Sequence, residues 1–319
     1  MWIAATAEQV LKPTAIALGN FDGIHRGHQK ILQPILSAID RQGEKRVYPT
    51  VVSFHPHPRE FFTGEKIYLL TPIAEKTQLL ERFGIEQLVL LPFNRELASL
   101  SPQQFVAEIL VKQLQTTQIS VGEDFRFGYQ RRGTVADLEA IASHYSIEVQ
   151  VNSLYKCLDE GGDNFRISSS RIRQALAAGE VERARFMLGR PYTLMGTVVP
   201  GQQLGRTIGF PTANLQLPPD KFLPRYGVYS VNVVLDSACF GALDSPLKGV
   251  MNIGCRPTVE GNRPTVEVHL LDWSEDLYGQ TLTVSLERFL RPEQKFPSLE
   301  ALQEQIAADC EAARYCLSR

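Results

Sequence analysis

Long apolar runs are missing from this chain. No stretch approaches the ~20 residues that a membrane-crossing helix needs. Met1 to Val10 has no basic segment leading into an apolar one, so neither a membrane span nor a secretory leader is expected. Paired cysteines are missing too. Cys157, Cys239, Cys255, Cys310 and Cys316 are odd in number, irregularly spaced and never C-x-x-C, which excludes a disulfide scaffold and points to free thiols in a reducing, cytoplasmic setting. No block of like charge occurs. Lys and Arg total 33 against 35 Asp and Glu, for a net charge of −2 and a pI near 6.3, balanced through both halves. A basic module is thereby excluded and a nucleic-acid partner is not expected. Internal repeats and low-complexity tracts are likewise absent. What remains is a chain of 319 residues, 44% hydrophobic, with apolar material for two cores.

The first half alternates strand-like and helix-like runs. Thr14 to Leu18, Val47 to Phe54, Glu86 to Leu91, Ile119 to Val121 and Ile147 to Val151 read as strands. His25 to Ile39, Ile73 to Phe83, Pro102 to Leu114 and Val135 to Tyr145 read as helices. In Pro102 to Leu114, Phe105, Val106, Ile109 and Leu110 share one face. Such alternation predicts βαβ units around a parallel sheet. Two shorter helices come next, Ser169 to Ala178 and Glu180 to Leu188, and Gly189-Arg190-Pro191 breaks the pattern. Beyond it lie short β runs separated by turn residues, as in an antiparallel barrel or sandwich, and then an amphipathic helix from Ser298 to Cys316 capped by Ser298. The expected division is residues 1–187 and 188–319.

Four of the six histidines lie in the first 57 residues. Two belong to Gly19-Asn20-Phe21-Asp22-Gly23-Ile24-His25-Arg26-Gly27-His28, which follows the first strand and opens a helix. Glycines let the backbone approach a phosphate, and a helix N-terminus presents unpaired N–H groups and a positive dipole end. Histidines at H-x-G-H spacing can donate to phosphate oxygens as charge builds on them. Ser53-Phe54-His55-Pro56-His57-Pro58 and Gly122-Glu123-Asp124-Phe125-Arg126-Phe127-Gly128 also follow strands, at the carboxyl ends where open parallel sheets bind ligands. In Arg166-Ile167-Ser168-Ser169-Ser170-Arg171-Ile172-Arg173, hydroxyls stand at a helix start and arginines can clamp phosphate oxygens. The decapeptide resembles the nucleotidyltransferase superfamily, and its long form resembles the flavin-adenylylating branch. The later segments resemble that branch's G-x-[DN]-F-x-F-G and I-S-S-T-x-I-R runs, with Ser170 in place of the threonine.

In the second half, Gly201, Gly205 and Gly209 lead into Phe210-Pro211-Thr212-Ala213-Asn214. This is not a Walker A loop, since G-K-[ST] is lacking. Thr212 and Asn214 offer neutral oxygens at i, i+2 spacing, on one side of a strand, and suit Mg²⁺ shared with substrate phosphates. The run resembles the riboflavin kinase signature. So do Tyr226-Gly227-Val228-Tyr229, Asn252-Ile253-Gly254-Cys255-Arg256-Pro257-Thr258, Val266-Glu267-Val268-His269-Leu270 and Leu290-Arg291-Pro292-Glu293-Gln294-Lys295-Phe296. As a strand, Glu267 and His269 face one way and Val266, Val268 and Leu270 the other.

Together these motifs identify the chain as similar to the prokaryotic bifunctional riboflavin kinase/FMN adenylyltransferase family. The resemblance implies an α/β, Rossmann-like nucleotidyltransferase domain with a doubly wound parallel sheet, followed by an antiparallel β-barrel kinase domain with a C-terminal helix. It implies riboflavin, FMN and ATP as substrates, Mg²⁺ as cofactor, and FMN and FAD as products. Glu267 is then the general base of phosphorylation, and His28, His25 and Arg173 stabilise charge in adenylyl transfer. Gly19, Phe21, Asp22, Gly27, His57, Asp124, Arg166, Ser169, Ser170, Gly205, Gly209, Thr212 and Asn214 hold nucleotide or phosphate; Phe125, Phe127, Arg256 and Glu293 hold flavin. Two alternatives compete: adenylylation of another phosphate ester, such as pantetheine phosphate or nicotinamide mononucleotide, and a flavin sensor without catalysis. Intact His28, Thr212, Asn214 and Glu267 argue against the sensor.

Overall fold

A computed structural model describes residues 1–36, 46–158, 164–201, 205, 208–235, 245–258 and 261–318, with the backbone alone at 156–158, 164, 256–258 and 261–263. Cys239 and Ile39 lie outside the described residues, as does the side chain of Arg256. The chain forms two compact units, Met1–Ser169 and Ser170–Arg319.

The first unit is built on a six-stranded sheet in the order β1-β4-β3-β2-β5-β6, every pair parallel. The strands are β1 (Trp2–Ala4), β2 (Thr14–Leu18), β3 (Tyr48–His55), β4 (Gln87–Pro92), β5 (Thr116–Gly122) and β6 (Glu148–Asn152). Helices α1 (Arg26–Leu36), α2 (Pro58–Thr63), α3 (Ile73–Arg82), α4 (Arg95–Ser99), α5 (Pro102–Gln104) and α6 (Val135–Ser143) lie between them. Beyond the sheet, β7 (Lys156–Leu158) and β8 (Asn164–Arg166) pair antiparallel with each other. All five residues of β2 are buried because helices cover both of its faces. Ile16 and Leu18 pack on one side with Val106, Leu110 and Leu138, while Ala15 and Ala17 pack on the other with Ile24, Leu32 and Leu80. From β2 the chain winds one way through β3 and β4, and it later returns to β2's other edge with β5. The switch point therefore falls between β2 and β5, the place where open α/β sheets open a crevice.

Phe105, Val106, Ile109 and Leu110 are buried together, as their spacing predicts. The helix that carries them is π-helical over Phe105–Gln113, with the Leu114 N–H donating to the Ile109 carbonyl. The sequence pattern does not reveal β1, α2 or α4; three to six residues are too few to show a period.

The second unit opens with α7 (Ser169–Ala178) and α8 (Val181–Leu188), and α8 stops at Gly189, whose φ of 76° closes the last turn. Both helices are tied to later residues of the unit. The Arg225 N–H donates to the Leu176 carbonyl, and Arg185 pairs with Glu287. Strands β9 (Tyr192–Val199), β10 (Ala213–Gln216), β11 (Gly227–Leu235), β12 (Leu247–Thr258), β13 (Gly261–Leu270) and β14 (Thr281–Pro292) form a closed antiparallel barrel, ordered β10-β13-β12-β11-β14-β9. Tyr229, Val231, Met251, Ile253, Val268 and Val284 are buried residues of its strands. Helix α9 (Leu299–Leu317), capped by Ser298, buries Cys310 and Ala313 against Val228 and Val250. Arg291 on β14 forks onto Asp309 of α9 at 2.7–3.1 Å, and both side chains are largely buried. The antiparallel β runs thus resolve into a barrel rather than a sandwich.

Candidate functional sites

In the first unit, three adjacent strands deliver the motifs to one edge of the sheet. His25 and His28 follow β2, His57 follows β3 on one side, and the Asp124 loop follows β5 on the other. The imidazoles of His25 and His28 stack, with centroids 3.6 Å apart and planes 13° from parallel. The His28 N–H donates to His25 Nδ1 at 3.2 Å. A neutral His25 ring therefore carries its proton on Nε2. Gly27 leaves room for this ring, since a Cβ there would stand 3.2 Å from two of its atoms. Helix α1 begins at Arg26, between the two histidines, so His28 stands in its first turn, at an N-terminus that favours anions.

The turn before the histidines is fastened from below. The Asp22 carboxylate, 4% exposed, accepts from the Leu70 N–H at 3.1 Å, the Thr71 N–H at 3.0 Å and the Thr71 hydroxyl at 3.3 Å. The Gly23 N–H donates to Thr71 Oγ1, and Ser169 Oγ donates to the Asp22 carbonyl at 2.8 Å. Lys76, 6% exposed on α3, donates to the Asn20 carbonyl at 2.8 Å, and Glu75 beside it is buried as well. Burial pushes the Lys76 ammonium below the usual lysine range, and the Asp22 carboxylate opposes that shift. Phe21 is buried under the turn and packs against His28, with centroids 5.2 Å apart. Asp22 and Phe21 thus shape the turn from inside it.

His57 caps α2 through Nδ1, which accepts the Arg59 N–H at 3.1 Å, and its Nε2 lies 2.9 Å from the Asn20 side-chain amide. The amide nitrogen of Asn20 is the atom that faces Nε2. Asp124 and Arg166 form an ion pair at 2.5 Å, each about half exposed. Phe125 stacks on Phe127, but Phe127 is only 5% exposed and packs on Phe105 in the core; Phe125 keeps the more open ring of the pair. Ser170 and Arg173 fall on α7 in the second unit. Sequence reasoning missed an aromatic platform at the carboxyl ends of β3 and β4. Phe61, Phe62 and Phe93 meet ring to ring at 5.2–5.7 Å, and Phe62 is 69% exposed.

In the second unit, strand pairing builds the site. Asn214 on β10 lies directly opposite Glu267 on β13, and Glu267 lies opposite Asn252 on β12. Directly opposed residues share a face, so the row Asn214–Glu267–Asn252 stands together. Val266, Val268 and Leu270 are buried on the other face, as the alternation requires. His269, two residues on from Glu267, lies with Nδ1 2.8 Å from the Pro211 carbonyl and edge-on to the Phe210 ring. A Cβ at Gly201 would overlap the Asn214 amide, and the Gly205 carbonyl accepts the Phe210 N–H at 2.8 Å, so Gly201 lies against Asn214 and Gly205 against Phe210. Gly209, with φ at 85°, is the turn just before Phe210. Glu293 points its carboxylate at the open side of Gly254, beside Asn252. Arg256 continues β12. A cavity of about 380 Å³ opens beside Thr212, bounded by Val198, Leu277 and Tyr278. A second, of about 700 Å³, runs from Phe210 and His269 to Ala307 and Arg314 on α9. No described helix is long and apolar enough to cross a membrane.

Both halves match known families. A family model described as FAD synthetase matches residues 7–171, and one described as riboflavin kinase matches residues 188–317. Curated proteins named bifunctional riboflavin kinase/FMN adenylyltransferase are similar over nearly the whole chain. The one from Escherichia coli K12 is 42% identical, covering 94% of this chain and 91% of its own length. The one from Bacillus subtilis is 36% identical, covering 95% and 92%. A crystal structure described as a macrolide-efflux protein from Streptococcus pneumoniae superposes with a TM-score of 0.82 at 32% identity, covering 98% of each chain. That description is of the Streptococcus protein alone.

Proposed function

Because the chain belongs to the bifunctional riboflavin kinase/FMN adenylyltransferase family, we propose that its two chemistries divide between the crevice and the barrel. The enzyme phosphorylates riboflavin with ATP to give FMN, and it transfers adenylyl from ATP to FMN to give FAD and pyrophosphate. The barrel row performs the first step and the histidine crevice the second, with functional boundaries at 1–187 and 188–319.

In phosphorylation, Glu267 accepts the proton of the riboflavin 5′-hydroxyl as that oxygen attacks the ATP γ-phosphorus, and the bond from that phosphorus to the β,γ-bridging oxygen breaks to release ADP. The observation that carries this is the register setting Glu267 opposite Asn214. Thr212 and Asn214 would hold Mg²⁺; two neutral oxygens suit a hard cation that keeps phosphates and water as its other ligands. Mg²⁺ bound there supplies neutralisation of the phosphate charge. Gly205 and Gly209 bring backbone N–H groups to the phosphates, and the cavity beside Thr212 accommodates the nucleotide. Asn252, Arg256 and Glu293 stand on the flavin side.

In adenylyl transfer, an FMN phosphate oxygen attacks the ATP α-phosphorus in line, and the pyrophosphate oxygen leaves. His25 and His28 donate to the phosphate as its charge grows, while Gly19, Gly27 and the α1 N-terminus receive its oxygens. Asp124, Arg166, Ser169 and His57 position the nucleotide. Phe125 and the Phe61–Phe62–Phe93 platform offer flat apolar faces suited to an isoalloxazine ring. The unpaired thiols Cys255, Cys310 and Cys316 and the ATP requirement support a cytoplasmic setting.

The test is a time course of purified protein with riboflavin, ATP and Mg²⁺, resolving the three flavins by chromatography. FMN rising first and FAD coming second supports the division, and EDTA should stop both. FMN alone would overturn the assignment of the crevice.

A further inference from the structure

One buried charge takes no part in this chemistry. Lys76 is an ammonium with 6% exposure, on a helix that contributes no residue to the crevice motifs. Burying an unpaired cation is expensive, and a lysine in a core position is ordinarily replaced by an apolar residue at no loss. Here the ammonium points at the turn that carries the histidines. It donates to the Asn20 carbonyl at 2.8 Å, an oxygen that also accepts from Ser53 Oγ at 3.3 Å, and the Asp22 carboxylate lies close enough to perturb it. Asn20 in turn meets His57, and Asp22 anchors the Thr71 segment that receives the Gly23 N–H.

We infer that Lys76 is a positioning residue of adenylyl transfer, fixing the Asn20 carbonyl beneath the phosphate-receiving turn. Asp22 holds the same turn from below, its two oxygens taking three hydrogen bonds from Leu70 and Thr71. The same ammonium sets the orientation of Asn20, and through it His57. This inference rests on the assignment of adenylyl transfer to the His25–His28 crevice.

Three substitutions separate charge from packing. Met at position 76 matches the lysine stem in length and flexibility but carries neither charge nor donor. Gln keeps a donor without charge, and Arg keeps both. If Lys76 acts as inferred, FAD formation from supplied FMN ranks K76R, then K76Q, then K76M, with K76M down on the order of 30-fold in kcat/KM, as for a residue that orients a reacting group. A residue needed only for packing gives the reverse order, because Met fits best. Riboflavin phosphorylation by the same samples reports the barrel unit and should stay at the wild-type rate, while far-UV circular dichroism and the thermal midpoint report that the first unit is folded. K76M should also keep its thermal midpoint, since Asp22 retains three hydrogen bonds and the Asn20 carbonyl retains Ser53. K76M within about threefold of wild type, or K76M more active than K76Q, would overturn the inference. Should K76R not fit, the Met and Gln variants decide alone, being closely matched in size. H28A is run alongside: if it keeps FAD formation, the crevice assignment has failed, whereas an active K76M with a dead H28A refutes only the role of Lys76.

Discussion

The two units reach phosphate by opposite constructions. In the parallel-sheet unit, the groups arrive on loops leaving β3, β2 and β5, and each loop is a contiguous stretch of sequence. In the barrel, the groups stand on neighbouring strands, and what brings Asn214 to Glu267 is the register of β10 against β13. A loop site needs anchors under its turns, which Asp22, Thr71 and Lys76 provide. A strand site inherits its geometry from the ladder and needs only the flanking glycine segment to be held. The lesson is that one family of chemistry, attack of an oxygen on phosphorus, can be held in place either by a cross-linked turn or by hydrogen-bonded pairing. The two respond to different mutations.

Removing one group from each site and reading both activities tests whether the two constructions act independently. Glu267→Gln keeps shape and register but cannot take a proton, so FMN formation from riboflavin should fall by about 10³-fold, within the range for loss of a general base. Conversion of supplied FMN to FAD should be unchanged. Normal phosphorylation by this variant would reject Glu267 as the base. The mirror experiment, His28→Ala, removes one donor to the developing charge and should cost FAD formation about 10²- to 10³-fold while FMN accumulates at the wild-type rate. If either substitution depressed both activities equally, the two sites would not be independent, and the division of labour between the units would fall.

The same contrast explains what the sequence made legible. The decapeptide from Gly19 to His28 could be read directly, because everything it contributes lies in consecutive residues after a strand. The faces of β13 could be read too, because period-two alternation puts Glu267 and His269 on one side and Val266 and Val268 on the other. The opposition of Asn214 and Glu267 could not, because register is a tertiary property and β10 is only four residues long with a polar pattern. Lys76 was hidden for a different reason. A single lysine near a helix start reads as a solvated residue, and only its 6% exposure marks it. Phe127 illustrates the converse: the motif offered two aromatic rings to flavin, and the core claims one of them.

His269 offers the finest test of the strand construction, because it joins the ladder to a loop. With the Pro211 carbonyl accepting at 2.8 Å, Nδ1 must carry the ring proton. The bond ties the strand of Glu267 to the segment that leads into Thr212. Cutting it leaves the barrel intact, since Ala213 and Asn214 remain paired with Val268 and Glu267. What loosens is Thr212, which stands just before the first paired residue of β10. His269→Ala should therefore lower riboflavin phosphorylation only about tenfold, through a weaker hold on MgATP rather than a slower proton transfer, so the loss falls on KM. His269→Asn, whose amide nitrogen can take the place of Nδ1, should recover most of it. FAD formation from FMN should not respond to either substitution. A loss in kcat at constant KM would instead place His269 among the groups that act on the transition state, and the barrel site would then depend on more than its register.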